Sequence, residues 1–229
     1  MSPRGAALFD VDGTLIDSTY LHAVTWWEAF RQSGHRVPMA DIHRAIGMGS
    51  DHLIDHLLGE GRDRDRDGDA TVRAAHGTLF AQYWERLAPL DGAAELLREC
   101  AKRGWTVVLA SSAHGPELDA MRRALDAEDV LTAVTGSDDV SASKPAPDLV
   151  ESALEHSGVR AEAAVFVGDT VWDVRASRRA GVPCLAVLSG GFPERDLREA
   201  GAYEVYGGPA DLAERLDSSL LAEPGRRAG

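Results

Sequence analysis

The sequence predicts an α/β protein: a mostly parallel, doubly wound sheet with a block of helices inserted after its first strand. Three observations carry that reading. Short apolar runs at 6–9, 106–110, 130–135, 163–167 and 183–188 have the length and unbroken hydrophobicity of strands buried on both faces. Helical patterns lie between most of them, as the crossovers of a parallel sheet require. Residues 15–88 break this alternation and read as helices alone.

Taken in order, the first run, Ala-Ala-Leu-Phe, ends at Asp10. The insert follows as four helices, expected over 18–33, 39–45, 51–58 and about 70–87, with Gly34 closing the first. Between the third and fourth, GRDRDRDGD (61–69) alternates charges with no apolar face and reads as a mobile loop. In 92–104, Ala93, Leu96, Leu97, Cys100 and Ala101 recur at i, i+3, i+4, i+7 and i+8, and Gly104 gives the stop signal. Helices over 116–125, 147–157, 170–180 and 193–200 follow, some with proline near the first turn, where its missing N–H is tolerated. The expected division is a Rossmann-like core of residues 1–14 and 89–222, a helical cap of 15–88, and a disordered tail at 223–229.

Composition sets outer limits. With 44% hydrophobic and 27% charged residues over 229 positions, the chain can bury a full core. Its 37 Asp and Glu outweigh 24 Lys and Arg, a formal net charge of −13. That balance repels nucleic acid and anionic membrane, and it repels phosphate esters too unless a metal or a placed cation offsets it locally. Cys100 and Cys184 are the only cysteines. They read as core thiols suited to a reducing compartment. No long apolar stretch precedes Asp10, as a signal peptide would, and no run reaches the ~18 residues of a membrane helix. The expectation is a cytoplasmic monomer.

In doubly wound sheets ligands bind beyond the carboxyl ends of the strands, so the residues there matter most. The first run delivers Asp10, with Asp12 two positions on; the second delivers Ser111 and Ser112; the fourth delivers Gly168-Asp169, with Asp173 one helical turn further. A loop after the third carries Ser143-Lys144-Pro145-Ala146-Pro147-Asp148. Lys144 is one of two lysines in the chain, the other being Lys102, and it sits in a stiff proline-containing loop. That placement suits a compact point charge held in position, although coding bias toward arginine would also make lysine scarce. Two carboxylates about 4 Å apart repel by about 4 kcal/mol at an effective dielectric near 20, so acids gathered at one edge need water or a cation between them.

These residues resemble the haloacid dehalogenase superfamily, in its branch of magnesium-dependent phosphatases. The resemblance rests on DVDGT at 10–14, Ser111 after an apolar strand, Lys144 in SKPAPD and GDTVWD at 168–173. It implies that Asp10 is the nucleophile, forming an aspartyl-phosphate, and that Asp12 protonates the leaving alkoxide and then activates water. It implies Mg2+ held by the Asp10 side chain, the Asp12 backbone carbonyl and Asp169, with Asp173 acting through water or through Lys144. Ser111 would bond a phosphoryl oxygen, and Lys144 would offset charge on that group and on Asp10. Mg2+ suits this set because it takes a few carboxylate oxygens, keeps several waters and accepts phosphate, whereas the motifs hold no histidine or cysteine for zinc. The implied substrate is a small phosphorylated metabolite.

Plainer readings stand beside each assignment. Asp10 and Asp12 could form a solvated turn around Gly13, Ser111 and Ser112 could be loop hydroxyls, and Asp169 and Asp173 could simply start a helix favourably. His52 and His56, four apart, lack a third ligand and read as a partly exposed helix face. Gly47-Met48-Gly49 lacks a following Lys-Ser/Thr and reads as a turn between cap helices; in related enzymes such a turn meets the substrate, so Gly47 and Gly49 join Ser112 as candidate contacts. His22 and Trp26 read as cap core, yet at these offsets they also resemble the beta-phosphoglucomutase-like subgroup. The turn after Gly47 lacks the basic residue mutases use for a second phosphate, which favours a phosphatase over a mutase. Asp12 argues against dehalogenation, and the absence of lysine from 15–88 argues against phosphonate cleavage by a Schiff base. A non-catalytic binding module on this fold would be expected to have lost one of Asp10, Asp12, Lys144 or Asp169, and all are present.

Overall fold

A computed structural model describes residues 5–59, 68–113, 115–136 and 142–224. Six strands form one parallel sheet: β1 (Ala6–Phe9), β2 (Thr106–Ala110), β3 (Leu131–Thr135), β4 (Ala164–Gly168), β5 (Cys184–Val187) and β6 (Glu204–Tyr206), in the order β3-β2-β1-β4-β5-β6. In the central pair β1–β4, Ala6 meets Ala164 and Phe9 meets Val167. The uninterrupted apolar runs follow from burial on both faces. Ala7, Phe9, Val107, Leu109, Val165 and Val167 enter one core, while Ala6, Leu8, Val108, Ala110, Ala164 and Phe166 enter the other. Side chains alternate across a strand, so a run feeding two cores must be apolar at every position.

The helices that cover the sheet are α5 (Ala93–Lys102), α6 (Gly115–Leu125), α7 (Asp148–Ser157), α8 (Val171–Arg179), α9 (Glu194–Ala200) and α10 (Pro209–Glu214). The apolar stripe read in 92–104 is what α5 buries: Ala93, Leu96, Leu97 and Cys100 are all in the core. Thr170 and Asp173 close a capping box at the start of α8: the Asp173 carboxylate accepts the Thr170 backbone N–H as well as facing the acids, and Thr170 Oγ1 accepts the Asp173 N–H.

Between β1 and α5 the described residues form four α-helices, α1 (Thr19–Gln32), α2 (Met39–Ala45), α3 (Ser50–Leu58) and α4 (Asp69–Ala81). Ala23, Trp26, Phe30, Ile42, Leu53, Ile54 and Val72 give them a core of their own. The helix expected over 70–87 is shorter than its pattern: α4 ends at Ala81 and a 3-10 turn occupies Trp84–Arg86. The chain must become extended there, because the two linkers pair. Asp17 N–H donates to Ala88 O at 3.0 Å and Leu90 N–H to Leu15 O at 2.8 Å.

β6 and α10 are not apparent in the sequence pattern; three and six residues are too few to show a period. Of the loop expected at 61–69, positions 61–67 lie outside the described residues, Gly68 caps α4 and Asp69 begins it. The tail expected to be disordered from 223 is described through Pro224, within a turn after Leu221, and 225–229 lie outside the described residues. No helix among the described residues is long and apolar enough to cross a membrane.

Candidate active site

From β1 the chain steps outward to β2 and β3 on one side, then returns to β4, β5 and β6 on the other, so the crevice at the carboxyl end of β1 is the sheet's topological switch point. Asp10 stands there. Its backbone N–H donates to Val167 O at 2.9 Å, and the chain then turns tightly, with Gly13 N–H donating to Ile16 O at 2.9 Å. Gly13 adopts φ +75°, and a Cβ on it would lie 2.4 Å from Asp169 Oδ2; one on Gly190 would lie 1.6 Å from the same oxygen. Only residues without side chains can pack this closely on the carboxylate.

Asp10, Asp169 and Asp173 are all buried and offer ligand oxygens within 4.8 Å of one another. Lys144 reaches in from the loop before α7, 1% exposed, hydrogen-bonded to Asp10 Oδ1 and 2.7 Å from Asp173 Oδ1 as an ion pair. Asp173 Oδ2 accepts from Thr170 N–H at 3.0 Å and from Thr170 Oγ1 at 2.6 Å. Thr14 Oγ1 donates to Asp169 Oδ1 at 2.8 Å, whereas Asp169 Oδ2 is buried with no hydrogen-bond partner.

An orphaned carboxylate oxygen in a fully buried side chain is costly, and one cation does not balance three acids. Burial pushes the Asp10 carboxyl up to about 7, against the pull of Lys144 and with the push of Asp173 and Asp12. Burial, Asp173 and Asp10 likewise drive Asp169 well above the usual carboxylate range. An all-oxygen donor set with one unused oxygen fits a hard divalent cation. It is the only group of metal-ligating side chains found among the described residues, and His52 and His56 form none.

Asp12 faces the opposite partner. His22, from α1, places Nε2 3.0 Å from Asp12 Oδ1, and Ser18 Oγ donates to the same oxygen. Burial disfavours Asp12's charge, yet His22 and Ser18 hold its carboxyl below the usual range; His22 in turn is raised by Asp12 despite its own burial. His22 Nδ1 lies 3.2 Å from His76 Nε2 on α4 and stacks on Phe80 at 3.8 Å, while Trp26 stacks on His76 at 4.0 Å. Burial and the neighbouring His22 hold His76 well below the ordinary histidine range.

A cavity of about 240 Å³ opens onto these groups, lined by Asp10, Asp12 and Lys144 below and by Trp26, Gly47, Gly49 and His76 from the insert. Thus Asp10, Asp12, His22, Trp26, Gly47, Gly49, Ser112 and Lys144 share one space. Ser111 sits behind that wall: it is fully buried, and its Oγ accepts the Ala113 N–H at 3.0 Å. A larger groove of about 910 Å³, between α2–α3 and α8–α9, holds none of these acids and not Lys144.

Sequence reasoning missed Arg73, His76 and Glu117, which also line the cavity. Arg73, His76 and Gly77 fall at i, i+3 and i+4 on α4, so the signal was one helix face; a polar helix face ordinarily reads as solvated. The turn after Gly47 carries no basic residue, but α4 supplies one to the same space.

Comparison with known proteins agrees with this arrangement. A family model describing haloacid dehalogenase-like hydrolases matches residues 5–181. The phosphoglycolate phosphatase of Rhodospirillum rubrum is 32% identical over 224 residues, covering 92% of this chain and 90% of that protein. The chloroplastic protein Suppressor of Quenching 1 of Arabidopsis thaliana is 29% identical over 203 residues, and the chain spans only 19% of its length. Among solved structures, a hydrolase from Pseudomonas syringae superposes with a TM-score of 0.87 at 31% identity, covering 93% of this chain and 98% of that one. With its acids at the switch point and its helices inserted after β1, the chain belongs to the haloacid dehalogenase-like hydrolase family.

Proposed function

We propose that this protein is a magnesium-dependent phosphatase that hydrolyses a small phosphate monoester through an aspartyl-phosphate on Asp10, with the helical insert acting as a cap over the site. The observation that carries the reading is the unpartnered Asp169 Oδ2 beside Asp10 and Asp173, in a cluster that a single lysine leaves undercompensated. Asp10 and Asp169 side chains and the Asp12 carbonyl would hold Mg2+. Asp173, whose oxygens are taken by Thr170 and Lys144, would act by fixing Lys144. When bound, the ion neutralises charge on the phosphoryl group and lets a dianion approach an acidic protein.

Asp10 attacks phosphorus while the ester oxygen leaves, taking a proton from Asp12. In the second step Asp12 takes a proton from water as its oxygen attacks phosphorus, the Asp10–phosphorus bond breaks and inorganic phosphate is freed. His22, 3.0 Å from Asp12, keeps a proton at hand and fixes the carboxyl's orientation. Lys144 offsets charge on Asp10 and on the transferring group. Ser112, lining the cavity, is a candidate phosphoryl contact, and Ser111 orients that loop from behind.

The similarity to the Rhodospirillum rubrum phosphoglycolate phosphatase supports this reading. Arg73 keeps a mutase in view as the second reading, since it could hold a second phosphate; a mutase would return the phosphoryl group to a sugar instead of releasing it. The test is turnover of p-nitrophenyl phosphate, expected to vanish in EDTA, return with Mg2+ and be absent in Asp10→Asn. Activity that survives either change sinks the proposal.

A further inference from the structure

We infer that the larger groove, between α2–α3 of the insert and α8–α9 of the core, binds a condensed phosphate, free or at the end of a nucleotide, and that the bound anion clamps the insert onto the core. This goes beyond the phosphatase reading: it assigns a second, non-catalytic site, and its binding test does not depend on turnover.

Charge singles this groove out. Arg44 and His56 enter it from the insert, and Arg175, Arg178 and Arg179 from α8, in a chain of net charge −13. On neighbouring α9, Arg195 and Arg198 each pair with a glutamate at 2.7 Å, whereas none of the four groove arginines forms an ion pair with a described residue. Of the two acids in the groove, Glu199 already holds Arg195, which leaves Asp196 against four guanidinium groups. Arg175, Arg178 and Arg179 stand at i, i+3 and i+4, a spacing at which like charges repel along a helix face. The carboxyl ends of α2, α8 and α9 border the groove and would each absorb roughly half a unit of positive charge, which with Asp196 still leaves the arginines in surplus.

These arginines are exposed, so water screens each contact and a lone carboxylate or monophosphate would be held weakly. An anion that stays must engage several guanidinium forks at once, and linked phosphoryl groups present oxygens in series with the geometry the fork matches. Gripping both walls has a mechanical consequence. The walls already meet where Trp172 Nε1 donates to Arg44 O at 3.0 Å, with the Arg175 guanidinium 4.8 Å from the same indole's centroid and His56 against its edge. Trp172 precedes Asp173, and Arg179 donates to Pro145 O, next to Lys144, at 2.6 Å. The anion therefore holds the insert closed over the catalytic cavity and stiffens the loop that carries Lys144. Substrate must enter and product must leave beneath the insert, so turnover falls.

The experiment titrates inorganic triphosphate, ATP and citrate into the full-length protein by calorimetry, in EDTA so that the catalytic acids hold no cation to attract them. Triphosphate should bind saturably, and citrate roughly 10-fold more weakly or worse. ATP binding at least as tightly as triphosphate assigns the site to a nucleotide, and weaker ATP assigns it to the free anion; either supports the inference. The double variant Arg175→Gln, Arg178→Gln, and separately Arg44→Gln on the opposite wall, should weaken triphosphate by roughly 10-fold and 3-fold, with turnover of p-nitrophenyl phosphate unchanged in its absence. On the Mg2+-loaded protein, with Mg2+ in excess over the anion, triphosphate should lower kcat several-fold, an effect that excess substrate does not overcome and that the variants lose. No saturable binding, citrate as tight as triphosphate, affinity that neither variant moves, purely competitive inhibition, or binding with kcat unchanged overturns the inference while leaving a phosphatase standing. A protein inactive on p-nitrophenyl phosphate fails the phosphatase reading alone, and the calorimetry still decides the groove.

Discussion

Replacing Lys144 with methionine keeps most of the side chain's volume and removes its charge, leaving Asp10, Asp169 and Asp173 buried together without a cation. The ammonium is 2.7 Å from Asp173 Oδ1 and hydrogen-bonded to Asp10. At an effective dielectric near 20 a unit-charge contact at that distance is worth about 6 kcal/mol before desolvation. Burying the lysine offsets much of this, and removing one partner from such a buried pair typically costs about 3–5 kcal/mol. For a chain of this size each kcal/mol moves the melting temperature by about 2–4 °C, so Lys144→Met without metal should melt on the order of 10 °C below the wild type. The loss should shrink as Mg2+ is added, since the ion takes over the missing charge and binds only the folded state; at 100 times its Kd it contributes about 2.7 kcal/mol. Thermal and urea unfolding with EDTA and across a Mg2+ series measure both effects. A metal-free variant within 2 °C of the wild type, or one that Mg2+ does not stabilise, would refute the view that these acids are held together by positive charge.

Further consequences concern single groups. Asp12→Asn should lower kcat for p-nitrophenyl phosphate by ~10²–10⁴-fold while Mg2+ affinity, read by calorimetry, stays close to that of the wild type; lost affinity would place the Asp12 side chain on the metal. Gly190→Ala should weaken Mg2+ binding and lower stability together, because its Cβ would sit 1.6 Å from Asp169 Oδ2; unchanged metal affinity would count against Asp169 as a ligand. Burial pushes the Cys100 thiol up to about 12 and raises Cys184 as well, so neither should react with a thiol reagent at pH 8 until urea unfolds the chain. A thiol that keeps its proton when folded and loses it when unfolded withdraws stability as pH rises. Unfolding free energy should therefore fall by roughly 1 kcal/mol per thiol per pH unit above about 9, and a flat profile to pH 11 would show the thiols to be exposed.

The sequence settled whatever depends on periodicity and on short-range order. β1 and β2 match their predicted bounds because runs buried on both faces must be apolar throughout, and α5 matches its stripe because that stripe is what it buries. Asp10, Asp12, Lys144, Asp169 and Asp173 were legible because each follows a strand or sits in the stiff loop ahead of a helix, and a parallel sheet brings all its strand ends to one edge. Only the tertiary structure could decide which residues of the helical insert face that edge. Arg73 and His76 lie more than sixty positions from Asp10, on a helix whose polar side resembles any solvated face, and the paired linkers at 15–17 and 88–90 carry that face over the acids. A helix records in its sequence which side is buried, but which partner its other side will meet is fixed by the path of the chain elsewhere.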